Sequence, residues 1–340
     1  MKRVVTVALA ILVVIALAAY RWVDHYLHAP LQLAQPAVIS VPAGSSFSTV
    51  ARDLSRQGIL KFPQLLSAYA RARGKASRIR AGEYQIGRDQ TPAGLIEQLV
   101  RGDVLLREVT IVEGWTVRDM LTAMGRNPFL SHTLDGAGAA DGLMERLGEA
   151  GKHPEGQFFP DTYRFARGTS DLEVLRKAHE AMQTRLAAAW STHAATVPFD
   201  DPYQALILAS MVEKESALPA ERQRIAGVFV RRLRLGMRLQ SDPTVIYGLG
   251  ESYTGDIRTR DLHADTPYNT YTRAGLPPSP IALPGEGSLQ AATHPDDSGA
   301  LFFVATGEPD GSHYFSATLA EHDAAVRRYL ARIRNRSATP

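Results

Sequence analysis

The chain has no cysteine. That excludes a disulfide framework, a thiolate nucleophile, a Cys-ligated metal and a lipidated N-terminal cysteine. It also lacks His-Glu-x-x-His, Gly-x-Ser-x-Gly and a phosphate-binding glycine loop, which sets aside zincins, α/β-hydrolases and P-loop enzymes. The ten histidines are scattered and suggest no metal site. Charge of one sign is scarce as well: 38 Lys and Arg against 35 Asp and Glu leave +3. So small an excess, with no basic stripe interleaved with aromatics, gives no reason to expect nucleic acid. What remains, 340 residues of which 45% are hydrophobic, is ordinary for a folded chain of two domains.

One long apolar run stands out. Met1-Lys-Arg3 precedes an uninterrupted apolar stretch from Val4 to Tyr20. About 17 to 20 such residues span a bilayer. Lys2 and Arg3 favour an N-terminus inside, and Tyr20, Trp22 and Tyr26 suit the far interface. The alternative is a cleaved signal peptide, because Ala16-Leu-Ala18 resembles a cleavage site. Either way the body of the protein lies beyond the cytoplasmic membrane.

Residues 28–37, with two prolines, read as a linker. Val38–Val41 is strand-like, and Ser45 or Ser46 can cap a helix through Leu54 that Gly58 ends. A second helix is expected over Pro63–Arg73, a strand over Gly82–Ile86, and a third helix over Pro92–Val100, stopped by Gly102. Val104–Val112 is again strand-like. The segment from Val112 loosely repeats the strand, glycine and helix pattern that starts at Val41. This small strand–helix–helix–strand module resembles LysM-like glycan-binding domains. Leu130–Gly151 reads as a loose helix-turn segment, and Asp171–Ala195 as an amphipathic helix. Pro219–Leu235 reads as another helix. Asp242–Gly287 is rich in turn formers and reads as loop. Strands at Leu301–Ala305 and His313–Phe315 follow, then a helix opened by the capping box Thr318-Leu-Ala-Glu321.

The chemistry concentrates around Glu213. Tyr203–Val212 is apolar or small almost throughout, as an interior helix segment is. Ala209 and Ser210 lie one turn before Glu213, and Ser216 and Ala217 one turn after. A carboxylate on such a face is costly to ionise, and a carboxylic acid that keeps its proton can donate it to a leaving group. The plain alternative is a helix-end pair with Lys214 or a nearby arginine. Ser210 and Lys214 share a face, but the Ser-x-x-x-Lys spacing differs from that of Ser/Lys hydrolases. Glu215 falls about 200° round the helix from Glu213, so it is expected outside the cleft in a salt bridge. Elsewhere, Gly156–Tyr163, Met237–Tyr247, Thr266–Tyr271 and Gly275–Ile281 gather amides, hydroxyls and rings, the groups that recognise sugars. The same residues also form turns regardless of function.

Val212-Glu-Lys-Glu-Ser216, Arg238-Leu-Gln-Ser-Asp-Pro-Thr-Val-Ile-Tyr-Gly248, Pro267-Tyr-Asn-Thr-Tyr271, Gly275-Leu-Pro-Pro-Ser-Pro-Ile281 and Phe158-Phe-Pro-Asp-Thr-Tyr163 together resemble the endolytic murein transglycosylases, the YceG-like family. The likeness runs in order from about Ile39 to Leu330 and is weakest over Asp135–Lys152. It implies an α+β chain: a transmembrane helix over 1–27, a linker over 28–37, a LysM-like module over 38–106 and a catalytic domain over 107–335. It implies Glu213 as catalytic acid and base. Tyr163, Gln240, Ser241, Asp242, Thr244, Asn269 and Tyr271 would be substrate-binding residues. No metal or organic cofactor is implied. The expected partners are peptidoglycan glycan strands and peptidoglycan synthases. The implied reaction is non-hydrolytic cleavage between N-acetylmuramic acid and N-acetylglucosamine, leaving 1,6-anhydro ends and terminating strand elongation. Two rivals stay open: a two-carboxylate muramidase with Asp242 as partner, and a membrane-tethered glycan-binding scaffold without chemistry.

Overall fold

The computed structural model describes residues 2–134, 140–216 and 218–337. Ala217 and the middle of the expected Leu130–Gly151 segment lie outside them. The chain divides into two units: residues up to Arg107 with Arg164–Gly168, and Glu108–Tyr163 with the chain from Thr169 onward.

The first unit opens with α1 (Lys2–His28), whose segment Arg3–His28 is long and apolar enough to cross a membrane. Its apolar side chains from Val4 to Leu17 are exposed. The unit continues with β1 (Ala37–Val41), α2 (Phe47–Arg56), α3 (Pro63–Ala72), β2 (Gly82–Ile86) and α4 (Pro92–Arg101). Ser46 caps α2, its Oγ accepting from the Thr49 N–H at 3.2 Å. Gly102 ends α4 in the left-handed conformation at φ 76°, which a side chain would strain. β1 and β2 pair antiparallel, Ala37 opposite Ile86 and Val41 opposite Gly82. Ile39, Val41, Tyr84 and Ile86 from the sheet meet Val50, Leu54, Leu66, Leu95 and Leu99 from the helices in one core. The segment expected as a linker is instead bound to this unit. Leu27 is buried, Leu31 and Leu33 pack against the core, and the Leu31 N–H donates to Gln90 O at 2.8 Å.

β3 (Leu106–Thr110) and β4 (Thr162–Ala166) pair with each other, and the chain passes between the two units within them. The second unit holds α5 (Val117–Gly125), α6 (Leu143–Arg146), α7 (Asp171–Ser191), α8 (Pro202–Glu215), α9 (Arg222–Arg234), α10 (Asp242–Leu249), α11 (Thr259–His263), α12 (Glu286–Thr293) and α13 (Leu319–Ser337). It also holds an antiparallel hairpin, β5 (Phe302–Ala305) with β6 (His313–Ser316), Phe302 opposite Ser316. Several elements depart from the sequence reading, the short helix α11 within the expected loop among them. Thr162–Ala166 is a strand rather than the tail of a turn, and α10 and α12 are helices inside or beside the expected loop region.

The core of this unit forms around α8. Every residue from Ala205 to Val212 is buried, against Met182 of α7, Ile225 and Phe229 of α9, and Leu289 and Ala292 of α12. A helix apolar on all sides has to sit inside other helices. Burying each of its large side chains contributes about 1.5–3 kcal/mol. Small residues let the partners close in. A side chain at Gly227 of α9 would place its Cβ 2.2 Å from the Asp296 carbonyl. The outcome is a rigid α8 whose last turn, Glu213 to Glu215, emerges from the packed interior.

Candidate active site

The two glutamates that end α8 point to different surroundings, as their 200° separation requires. Glu213 has only 5% of its side chain exposed. Its Oε1 accepts from Arg222 Nη2 at 3.1 Å and its Oε2 from the Gly285 N–H at 2.9 Å. Arg222 also approaches Glu113 at 3.4 Å, and Lys214 Nζ donates to Gly114 O at 3.2 Å. The end of α8 is thus clamped to the start of α9, the 113–114 turn and the start of α12. The nearby-arginine alternative describes Glu213 well. A side chain at Gly285 would run its Cβ within 1.9 Å of Glu113, so glycine is required where that backbone meets the clamp.

Glu215 faces a cavity of about 400 Å³, lined also by Arg232, Leu239, Gln240, Asp242, Tyr271, Phe303, Val304 and His322. The expectation that Glu215 lies outside the cleft in a salt bridge is therefore corrected. The two glutamates do lie on different faces of the helix, and the cavity is on the Glu215 face. Ser241 Oγ donates to Glu215 Oε1 at 2.7 Å. Burial, reinforced by the neighbouring Asp242 carboxylate, pushes the Glu215 carboxyl up to about 7, against the lowering pull of the Ser241 hydrogen bond and Arg232. A carboxyl poised there keeps its proton in a substantial share of molecules at neutral pH.

The walls of this cavity are built from three segments. Gln240 holds φ 54°, the left-handed region unusual for a side-chain-bearing residue, and its N–H donates to Thr270 O at 3.2 Å. That kink turns the chain out of the α9 connection and into α10, whose first residue is Asp242. The Tyr271 hydroxyl donates to Asp242 Oδ1 at 2.6 Å. Beneath them Arg232 is buried, with Nε donating to Leu301 O at 2.7 Å and Nη1 to Leu239 O at 2.8 Å. His322 of α13 closes another side. Its ring stacks on Phe302 with centroids 5.1 Å apart, and its Nδ1 is buried without a hydrogen-bond partner. Burial and the Arg232 cation lower its pKa, which favours the neutral imidazole.

Of the residues expected to bind substrate, Gln240, Asp242 and Tyr271 line the cavity, and Ser241 reaches it through Glu215. Three others serve the scaffold. Thr244 Oγ1 donates to Ser241 O at 2.7 Å and is buried. Asn269 is buried, its Nδ2 directed at the carbonyls of Asp261, Leu262 and Ala264 and its Oδ1 accepting from the Tyr271 N–H at 2.9 Å. Tyr163 gives its hydroxyl to Phe159 O at 2.7 Å. Ser210 is buried and bonded to Ile207 O and the Ile281 N–H, so it is no exposed nucleophile. Sequence reading missed Arg232 and His322. Arg232 looked like one more charge in an Arg-rich helix end, and His322 is 107 positions from Glu215 with no local pattern. It also missed Glu155, a buried carboxyl pushed up to about 7 by burial that accepts from the Val117 N–H and the Tyr247 hydroxyl. Among the described residues no three His, Asp or Glu side chains gather as a metal site.

Comparison with known proteins identifies the family. The YceG-like family matches residues 39–328. The endolytic murein transglycosylase of Bacillus subtilis (strain 168) is 31% identical over 309 residues, 86% of this chain and 84% of that protein. The protein of that name from Streptococcus pneumoniae serotype 2 is 27% identical, and the match covers 86% of this chain but 58% of the longer relative. A yceG-like protein of known crystal structure from Listeria monocytogenes superposes with a TM-score of 0.54 at 29% identity, covering 85% of this chain and 99% of that one. With the family match covering most of its length and the cavity formed by the segments that carry the likeness, this chain belongs to the YceG-like family.

Proposed function

We propose that this protein is a lytic transglycosylase that cleaves peptidoglycan glycan strands internally, with Glu215 rather than Glu213 as the acid. The observation that carries the reading is the placement of Glu215: a carboxyl favoured in its protonated form, hydrogen-bonded by Ser241, in the cavity that Gln240, Asp242 and Tyr271 also line. Its support comes also from the name of the relatives. The protonated Glu215 gives its proton to the glycosidic oxygen as the bond from C1 of N-acetylmuramic acid breaks. The C6 hydroxyl of the same sugar then bonds to C1 and returns its proton to Glu215. One acid is enough because the nucleophile belongs to the substrate, and an intramolecular attack gains effective molarity. Gln240 and Tyr271, which line the same cavity, orient the sugar in this reading, and neutral His322 gives a further polar contact.

In this reading α1 anchors the protein in the cytoplasmic membrane with its N-terminus inside, and the rest of the chain works outside it. The strand, two helices and strand of the first unit support a LysM-like, glycan-binding role. The reaction would end glycan strand elongation beside peptidoglycan synthases.

Asp242 in the same cavity favours one second reading, hydrolysis by two carboxyls. Mass spectrometry of uncrosslinked glycan incubated with the full chain separates them. Transglycosylation leaves anhydro ends, hydrolysis adds the mass of water and creates reducing ends, and intact strands would leave a binding scaffold. Anhydro products that persist in Glu215→Gln would overturn the assignment of the acid.

A further inference from the structure

The helix α1 does not stop where its apolar run stops. Val4–Tyr20 covers about 25 Å at about 1.5 Å per residue, close to the ~30 Å hydrocarbon core of a bilayer. Two further turns, Arg21–His28, continue directly into the first unit. Leu27 is buried there, and Val23 and Tyr26 pack against its core. At this junction stand three aromatic rings, one of them far away in sequence. Phe62 meets Trp22 and Tyr26 edge-on, each with ring centroids 5.2 Å apart, and Trp22 and Tyr26 stack at 6.2 Å. The Phe62 N–H donates to the Tyr26 hydroxyl at 3.3 Å.

This cluster is only half covered by protein: Phe62 is 41% exposed and Trp22 52%. Phe62 also occupies the N-cap of α3 without making a capping hydrogen bond. A Ser, Thr, Asp or Asn there would cap the helix, so helix capping does not account for a half-exposed ring at this position. Arg21 and Lys61, the neighbours of Trp22 and Phe62, are both exposed. Rings beside a spanning helix with basic residues next to them are the composition of a membrane interface.

We propose that Phe62, with Trp22 and Tyr26, is a lipid contact that seats the first unit on the surface of a phospholipid bilayer. The three rings lie at the headgroup boundary, and Arg21 and Lys61 meet anionic headgroups. This rests on α1 being the membrane anchor proposed above. Its consequence is that the unit is held at the bilayer rather than swinging on a tether, which fits the binding of residues 28–36 to its core.

The absence of cysteine makes the test direct. Full-length Lys61→Cys, Arg88→Cys and Leu12→Cys proteins, each carrying an environment-sensitive fluorophore, are placed in phosphatidylcholine–phosphatidylglycerol vesicles. The label at 61 should be quenched by lipids spin-labelled at the headgroup and shielded from aqueous iodide, several-fold more so in each respect than the label at exposed Arg88. Adding Phe62→Ser should reduce that difference. Equal iodide quenching at 61 and 88, with the label at 12 quenched by deeply spin-labelled lipid, would overturn the seat while leaving the anchor standing. Failure of the label at 12 to meet deep lipid quenchers would remove the anchor and the seat with it.

Discussion

The hydroxyl of Ser241 donates to Glu215 Oε1 at 2.7 Å, from the residue that caps α10 to the residue that ends α8. Ser241 is itself fixed, its N–H donating to Thr270 Oγ1 at 3.0 Å. A rotatable carboxyl at a helix end thereby acquires one orientation, set by a loop that the same cavity uses for Gln240 and Asp242. Orientation of this kind is what a proton donor needs before substrate arrives.

The two glutamates of α8 should separate cleanly on substitution. Glu215→Gln should lose anhydro-product formation by about a thousandfold or more, with melting unchanged or slightly raised, since a costly buried acid is replaced by a neutral isostere. Glu213→Gln should keep measurable chemistry and lose about 1–3 kcal/mol of stability, because Arg222 is left with a weakened partner. Product analysis and thermal melting of both proteins decide it. The reverse pattern would return the acid to Glu213.

The pH dependence follows from the same carboxyl. Activity carried by protonated Glu215 should fall as pH rises through about 7. Ser241→Ala removes a bond that favours the charged form, so the alkaline limb should move to higher pH even as the rate drops. Stability should move in the same direction. Glu215 and Glu155 are raised from 4.5 to about 7 in the folded state, so the folded protein binds the extra protons. Their stabilisation is complete below about pH 4.5 and is lost as pH rises toward 7. Chemical denaturation across that range should show the loss, and the double variant Glu155→Gln, Glu215→Gln should flatten it.

Asn269 is a scaffold residue, and its removal should be felt at a distance. Asn269→Ala leaves the carbonyls of residues 261–264 and the Tyr271 N–H without their partner. A loss of about 2–3 kcal/mol is expected. Activity should fall through misplacement of Tyr271, seen as a KM that rises more than kcat falls. A protein as stable as the parent would contradict this role.

His322 should matter for rate rather than folding. His322→Ala opens the cavity wall but removes no hydrogen bond from Nδ1, which has none. Stability should change by less than about 1 kcal/mol, while kcat/KM should fall about tenfold. His322→Gln, polar and unable to titrate, should restore part of the rate and weaken the acid limb of the pH profile. Rates and profiles matching the parent in both variants would remove His322 from the site.

Local patterns explain which elements were legible. The apolar run of α1, the Ser46 cap of α2, Pro63 and Pro92 at helix starts, and Gly102 as a stop all act within a few residues of the chain, so the sequence carries them openly. The largely apolar Tyr203–Val212 segment likewise announced an interior helix with acidic residues at its end. The α10 helix was hidden by Asp242-Pro-Thr, a turn former that here starts a helix. Linker and module could not be told apart at 28–36, because Leu27, Leu31 and Leu33 look sparse until the core they fill is assembled.

The site shows the division most sharply. Sequence placed an acidic pair at the end of a buried helix and named Gln240, Asp242 and Tyr271 around it, since composition and order are enough for that. It named Glu213 as the acid and set Glu215 outside the cleft, because local pattern does not show what lies against each of two side chains on opposite faces of one turn. Tertiary packing gives the two different surroundings. Arg222 and the Gly285 N–H neutralise Glu213, while Ser241, Asp242, Arg232 and His322, drawn from three helices and a loop, surround Glu215. Whether a carboxyl holds its proton depends on which charges and how much water lie within a few ångströms of it, and those neighbours are distant in the chain.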